Sequence, residues 1–548
     1  MEEYARTALM EMLTTTATGP ELAGVLGPLA GQRSVLDVLI EGLTPVVSTL
    51  LQVTLGLGGR AAAGTVSLGS AEEQLRISGR DLMCAVLHAV VNAASAGQER
   101  APGGVDGPDG LRRTRVEDDH IRAVATVLGR ITVNRLAYRA PGASNVHPLD
   151  EVLDLPDGLY STGLARLSAR EAVRGSFVEA ADAVEYVAGV RIGTRQLIEL
   201  TRAAAADAVG YYTDRQVLAA DPDDALVITA DGKGIPVRHE ALRSGTAKLA
   251  ARAKQTPPGA TSGNAGGRGN SKRMAELVCV YDLKPVPRTV EDILPIPPTD
   301  DDTDRADGDL QARAPKAAGK WLTASVTDDI PTVIREGFDE ATRRDPGHSR
   351  DWVALVDGHC TQIDAITAEA AARGVEVTIL IDWLHVAGYL WDAAKAFFCT
   401  DTTAGMALAR DWVHERSRLV LHGEALQVAE RIRARILGSK LTAAQRKSAL
   451  EAATYLTNKA PHLGYPTALA KGWPIATGVI EGACRHLVKD RLERGGARWG
   501  LDTAEAILTL RAIVTNGDFD DYWRYHQQQE HHRTYPVSTP RTSLALAA

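Results

Sequence analysis

The stretch DWVALVDGHCTQIDAITAEAAARGVEVTILID, residues 351–382, decides how this chain folds. WVALV is a short apolar, β-branched run that stops at Asp357, and VEVTILI stops the same way at Asp382. Between them TQIDAITAEAAARG has helical period and closes on a glycine, a common helix end. Strand, helix, strand in that order is the alternation of a sheet that carries helices on its faces.

Reading outward, DALVITADGKGIPV (224–237) is expected to be a buried strand that ends at Asp231 and enters a glycine-rich turn. MAELVCVYDL (274–283) supplies a second strand, KWLTASV (320–326) a third, and TVIREGFDEATRR (332–344) a helix. Three strands, helix, strand, helix, strand predict an α/β fold: a mixed sheet flanked by helices. Past Asp382 the pattern is helical through YLTNKAPHLGY, an all-helical insertion over 396–473, after which GVIEGACRHLVKDR (478–491) brings the chain back to the sheet. The sheet-bearing part therefore spans 221–395 and 474–516, followed by a C-terminal tail, 517–548.

Ahead of it, residues 1–115 read as a mainly helical region without visible chemistry, closing in AGQERAPGGVDGPDGLRR (96–113), which looks like a linker. Residues 116–220 hold IRAVATVLGRITVNRLAYRA, alternating around a Gly-Arg turn as a hairpin does, and SFVEAADAVEYVAGVRIGTRQLIELTR. In the latter a helix closes at Ala188-Gly189 and a second starts behind Thr194 as N-cap. This is the pattern of a helix-turn-helix whose second helix would turn Arg195, Gln196 and Arg202 toward DNA, although an ordinary helical hairpin with surface arginines writes the same pattern.

Composition sets outer bounds. The chain has 548 residues, 45% hydrophobic and 24% charged, as globular proteins do. PVVSTLLQVTLGLGG (45–59) falls short of the roughly 20 residues a membrane span needs, and the acidic start MEEYARTALMEML is unlike a secretory signal, so a cytoplasmic, membrane-free protein is expected. Cys84, Cys279, Cys360, Cys399 and Cys484 show no CxxC pair and are expected to be buried thiols. A net charge of -8 argues against indiscriminate coating of nucleic acid but leaves room for local basic surfaces. One such surface is HEALRSGTAKLAARAKQTPPGATSGNAGGRGNSKR (239–273), where Lys248, Arg252, Lys254, Arg268, Lys272 and Arg273 either grip phosphates or only solubilise a loop. The acidic run PPTDDDTDRADGD (297–309) reads as a solvated loop.

Three acids stand at telling places: Asp231, Asp357 and, beside the apolar stripe Ile480, Cys484, Leu487 and Val488, Glu481. Open α/β sheets build their sites beyond the carboxyl ends of strands. Carboxylates gathered there repel one another unless a cation intervenes, and hard oxygens suit Mg²⁺ or Mn²⁺. Two such ions, about 4 Å apart, hold the attacking and leaving oxygens of a phosphoryl transfer. Behind Glu481, Arg485 and Lys489 follow at i+4 and i+8, placed to face phosphates.

From Asp231 to about Asn516 the chain resembles the ribonuclease H-like catalytic domain of DDE transposases. WPIATGVIEGACRHLVKDRLERGGARWGLDTAEAILTLRA (473–512) looks like the C-terminal signature of ISKra-type insertion-sequence transposases, and HPLDEVLDLPDGLYS and SFVEAADAVEYVAGV resemble the family's upstream segment. The resemblance implies a bacterial DNA transposase with Asp231, Asp357 and Glu481 as the triad holding two Mg²⁺ or Mn²⁺ ions. In IDWLHVAGYLW it makes Asp382 and His385 a pair behind the metal ligands or against substrate, with Asp382 the rival of Asp357 as second ligand. It further implies double-stranded DNA partners, namely terminal inverted repeats and target, and a homodimer or larger synaptic assembly, cytoplasmic and on the nucleoid when DNA is bound. Arg491, Arg494 and Arg498 are candidate phosphate contacts, and Trp499 either stacks on an unpaired base or packs in the core. Relatives carry paired cysteines where this chain has YRAPGASNVHPLD, so no zinc is expected. A ribonuclease H-like nuclease or resolvase that cuts without joining, or a transposase-derived DNA-binding protein that no longer cuts, would fit the same residues; a glycosidase is disfavoured by the 5% aromatic content.

Overall fold

The computed structural model describes residue 7 and residues 33–217, 220–248, 272–294 and 315–536. The acidic run and Arg252, Lys254 and Arg268 of the basic insert lie outside the described residues. The chain divides into two compact units: Met1–Tyr211 with Asp520–Ala548, and Tyr212–Phe519 between them.

The first unit opens with a helical pair, α1 (Arg33–Ala62) and α2 (Leu68–Ala96), the second started by a Ser67 capping box. Within α1, Asp37–Ala62 is long and apolar enough to cross a membrane by length and composition, because the helix begins well before Pro45, where the apolar run had been started, and continues past the glycines at its end. The expected linker is instead ordered. β1 (Val105–Asp106) pairs with β2 (Arg112–Arg113), and the fully buried Arg113 donates to the carboxylate of Asp109 and to the carbonyls of Leu111 and Ser144. The expected hairpin forms from β3 (Arg115–Thr126) and β4 (Gly129–Arg139), with Val124, Ile131 and Val133 packed against Val91 of α2.

Three helices follow: α3 (Thr162–Arg174), α4 (Phe177–Ala188) and α5 (Thr194–Ala204). A Ser176 capping box starts α4, and Gly189 ends it at φ 64. That conformation needs glycine, and a Cβ there would strike the Arg80 guanidinium at 2.4 Å. The N-cap of α5 is Gly193, not Thr194, and no side chain caps it. The turn is held from below by Val190 and Ile192, buried with Leu164, Val184, Ala188 and Leu197.

The second unit is an α/β body around a five-stranded mixed sheet. Its strands are β5 (Ala225–Pro236), β6 (Lys272–Leu283), β7 (Ala317–Ser325), then β8 (Trp352–Val356) and β9 (Val377–Ile381), in the order β7-β6-β5-β8-β9. β5, β8 and β9 are parallel, while β6 runs antiparallel to both its neighbours. The apolar runs of β5, β6 and β8 are almost wholly buried, as strands covered on both faces must be. α6 (Ile330–Arg344) lies so close that a Cβ on Gly337 would sit 2.5 Å from Val278. α7 (Cys360–Arg373) links β8 to β9.

One boundary differs from expectation. β5 does not stop at Asp231 but runs on through Gly232 and Gly234 to Pro236, because β6 pairs with it residue by residue out to Lys272. What ends near Asp231 is its other neighbour, β8, whose last residue Val356 pairs with Ala230.

Beyond β9 come α8 (Trp383–Phe397), α9 (Thr403–Leu421), α10 (Ala425–Leu437), α11 (Ala443–Lys459) and α12 (Tyr465–Ala470), the expected helical insertion. The chain re-enters the sheet region as α13 (Gly478–Ala483), which passes into a π-helical segment, Cys484–Lys489. It continues to α14 (Leu501–Asn516), whose last residue bonds Leu322 of β7 from its side chain. The last helix, α15 (Phe519–Thr534), is not a free tail: from Asp520 on it belongs to the first unit.

Candidate active site

Asp231 and Asp357 are brought together by strand register. Ala230 pairs with Val356 across parallel β5 and β8, so the next residue on each strand is an aspartate. Adjacent strands lie about 4.8 Å apart, and residues in register on parallel strands point the same way. The Oδ1 of Asp231 accepts from the Gly232 N–H at 2.7 Å, and Oδ2 from the Cys484 thiol at 3.2 Å. The Oδ1 of Asp357 accepts from the His359 N–H at 2.8 Å, while the Tyr455 hydroxyl of α11 donates to its carbonyl at 2.9 Å. Gly358, at φ 97, lets the chain turn here; a Cβ would collide with that hydroxyl at 2.8 Å.

Both aspartates line a cavity of about 640 Å³ with a third acid that sequence reasoning passed over, Glu276 of β6. Glu276 is 6% exposed and accepts from the Gln362 side chain of α7 at 2.6 Å. Burial, opposed by that hydrogen bond and reinforced by the charges of Asp231 and Asp357, pushes its carboxyl up to about 8, so it holds a proton at neutral pH. Its signal in the sequence was a glutamate inside an otherwise apolar strand. Basic groups edge the same cavity: Arg243, Lys272 and Arg273. Lys272 is paired with Glu493 at 2.6 Å, and Arg273 is spent on the carbonyls of Val326, Ala241 and Thr327, whereas Arg243, which the sequence reading did not single out, is exposed at the cavity edge. Lys248 is exposed.

Glu481 stands apart from this cavity. The apolar stripe is confirmed, with Ile480, Cys484, Leu487 and Val488 buried and Glu481, Arg485 and Lys489 exposed along the other edge. Glu481 precedes Cys484 by three residues, about 60° around a helix, yet it does not line the cavity. The ligand oxygens of Asp231, Asp357 and Glu481 do not all lie within 4.8 Å of one another. Of the three acids expected to converge, two line one cavity, and the helix that carries the third touches Asp231 through Cys484. Asp382 follows Ile381, the partner of Val356, and so stands beside Asp357, but it does not line the cavity: 2% exposed, it caps α8 through the Leu384 N–H at 2.9 Å and accepts from Thr477 at 2.6 Å. His385 is exposed on α8, its ring 6.3 Å from that of Tyr389.

Several candidate DNA contacts fall out on burial. Arg491 is 5% exposed with its guanidinium 4.8 Å from the centre of the Trp499 ring, and Trp499 is 6% exposed and donates to the Leu492 carbonyl at 2.9 Å. Both are buried around the turn, which also bonds to the end of β5 through Arg238 and Pro236, as the packing alternative for Trp499 has it. Arg494 and Arg498 are exposed, as are Arg195, Gln196 and Arg202 on α5, with Arg195 paired to Glu199 at 3.3 Å. Cysteine burial also differs from expectation: Cys279 and Cys484 are buried, Cys84 is half-buried, and Cys360 and Cys399 are exposed.

Among the described residues, one set of three potential ligands does converge within 4.8 Å: Asp207, His526 and Glu530, in the first unit. Its charge is already met. Arg533 donates to both oxygens of Asp207 at 2.7 and 2.8 Å and to Glu530 at 2.6 Å, and His526 lies 2.6 Å from Asp207. Although burial opposes it, Arg533 and His526 hold the Asp207 carboxyl below its usual range, as in a salt-bridged clasp. No family model and no curated protein matches the chain.

Proposed function

We propose that this chain is a DNA transposase of the insertion-sequence type, with a ribonuclease H-like catalytic unit in residues 212–519. The observation that carries the reading is the pair Asp231 and Asp357, each following one of the paired residues Ala230 and Val356 of parallel β5 and β8 in a β7-β6-β5-β8-β9 sheet, and both lining one cavity. Two hard carboxylates at one cavity, next to a third acid kept protonated chiefly by burial and further by their charges, fit a divalent cation; Asp231 and Asp357 would hold Mg²⁺ or Mn²⁺. When bound, the metal supplies Lewis-acid polarisation of the phosphodiester and an activated water or 3′ hydroxyl. Glu481 would complete the ligand set if its helix moved toward the cavity; the π-helical segment that follows α13, a form frequent at functional sites, meets β5 at Cys484.

The chain's other residues bind and orient DNA. Arg243 at the cavity edge, with exposed Arg485, Lys489, Arg494 and Arg498 beyond the Glu481 helix, takes phosphates. Arg195, Gln196 and Arg202 on α5 read the terminal repeat. Joining two ends calls for a homodimer or larger assembly, and the proposed setting is the bacterial cytoplasm.

The test supplies the full chain with pre-cleaved terminal-repeat ends and a target plasmid in Mg²⁺. Joining is expected, and Asp231→Asn should abolish it, by 10³-fold or more as an order of magnitude for loss of a metal-held reaction, while end binding survives. Cutting without joining would make the protein a nuclease or resolvase. Equal loss of binding and chemistry in Asp231→Asn would mean that Asp231 supports the fold or the DNA contact and is no metal ligand.

A further inference from the structure

Cys484 is the one residue of the Glu481 helix that the structure shows bonded to a proposed metal ligand: its Sγ lies 3.2 Å from Oδ2 of Asp231. Cys484 is 4% exposed, within the buried stripe of Ile480, Leu487 and Val488. The other oxygen of Asp231 is held as firmly, by the Gly232 N–H at 2.7 Å. Each carboxylate oxygen thus accepts one hydrogen bond from a fixed donor, leaving the remaining lone pairs with a set direction.

We propose that Cys484 is a positioning residue, whose thiol donates to Oδ2 of Asp231 and aims that carboxylate at the divalent cation. The inference rests on reading Asp231 as a metal ligand. A thiol suits the task because it is a weak donor: it orients the carboxylate without drawing off the negative charge that attracts the cation. It also joins two jobs, since the same contact pins the helix against β5 one turn from Glu481. Hydrogen bonds made to ligands from outside the coordination sphere commonly govern metal affinity, and losing one costs about 10- to 100-fold.

The test titrates the full chain with Mn²⁺ alone, following free ion by electron paramagnetic resonance, for wild type, Cys484→Ser, Cys484→Val and Asp231→Asn, with thermal unfolding to confirm that each is folded. A positioning role predicts that serine, which can still donate, binds Mn²⁺ within about 3-fold of wild type, and that valine, which cannot, binds about 10-fold more weakly or worse. A role in packing alone predicts the reverse order, valine near wild type and serine impaired, and that order would overturn the proposal. So would wild-type affinity in both cysteine variants alongside lost binding in Asp231→Asn, which leaves the metal reading standing. If Asp231→Asn itself binds Mn²⁺ like wild type, the metal reading fails and the role of Cys484 with it. Should the valine variant not fold, Cys484→Ala replaces it, since alanine removes the donor without adding volume.

Discussion

Glu276 shows what a single residue adds that no motif announces. It interrupts a strand of Ala, Leu, Val and Cys, and only the fold reveals that its neighbours are Asp231, Asp357 and Gln362. The candidate site was legible in sequence where chemistry sits at strand ends, as for Asp231 and Asp357, and illegible where it depends on which side chains meet across elements, as for Glu276, Cys484 and the buried pair Arg491 and Trp499. The raised carboxyl of Glu276 has a stability consequence whose sign is fixed. Its value moves from 4.5 to about 8, so the folded chain holds a proton that the unfolded chain releases within that window. Its contribution is fully present below pH 4.5 and is lost as pH rises to about 8, at up to about 1.4 kcal/mol per pH unit. Glu276→Gln lacks that slope. Denaturant unfolding of metal-free protein at pH 5, 6.5 and 8 should therefore show wild type losing ground to the glutamine variant as pH rises; parallel curves would mean that the carboxyl is ionised in the folded chain.

At the scale of elements, periodicity recovered nearly every strand and helix of the sheet region, because β8, α7 and β9 are short, strongly patterned and separated by clear breakers. It misplaced the end of β5 for a physical reason. Gly232 and Gly234 carry the signature of a turn, but twelve residues of pairing with β6 outweigh the local preference of glycine. The π-helical turn after Glu481 left no trace in sequence either, since the buried positions 480, 484, 487 and 488 suit an unbroken α-helix. Glycines inside helices separate close packing from accident. Gly337→Ala forces a methyl to within 2.5 Å of Val278 and should cost about 1–3 kcal/mol as α6 is lifted off the sheet. Gly388, on the exposed side of α8, has nothing within 4 Å of an added Cβ, so Gly388→Ala should stabilise by roughly 0.5–1 kcal/mol. Thermal unfolding of the two variants checks the opposite signs, and destabilisation by both would show that α8 tolerates no added methyl.

For the whole molecule, the decisive feature is that one unit interrupts the other. The chain leaves the first unit after Tyr211 and rejoins it at Asp520, where α15 is fastened by Asp207, His526 and Arg533, by the Tyr522 hydroxyl on the Ala204 carbonyl at 2.6 Å, and by His531 on Asp154 at 2.7 Å. A reading along the sequence sees a tail there, because the acids that hold it lie more than 300 residues upstream. The arrangement assigns the proposed tasks to different units: the α5 helix lies in the first, the paired aspartates in the second. A chain with net charge -8 cannot rely on bulk attraction to DNA, so the proposed end binding rests on local contacts, and each phosphate contact would leave a mark in salt dependence. Arg195, with 87% of its side chain exposed, is the contact to remove. Arg195→Ala should weaken binding to terminal-repeat DNA and flatten the slope of log affinity against log salt by about 0.9, while Mn²⁺ titration at the aspartate pair stays as in wild type. An unchanged slope in a fluorescence-anisotropy series across salt concentrations would take Arg195 out of the interface, and a matching loss of Mn²⁺ affinity would show that the two units do not work as separate bodies.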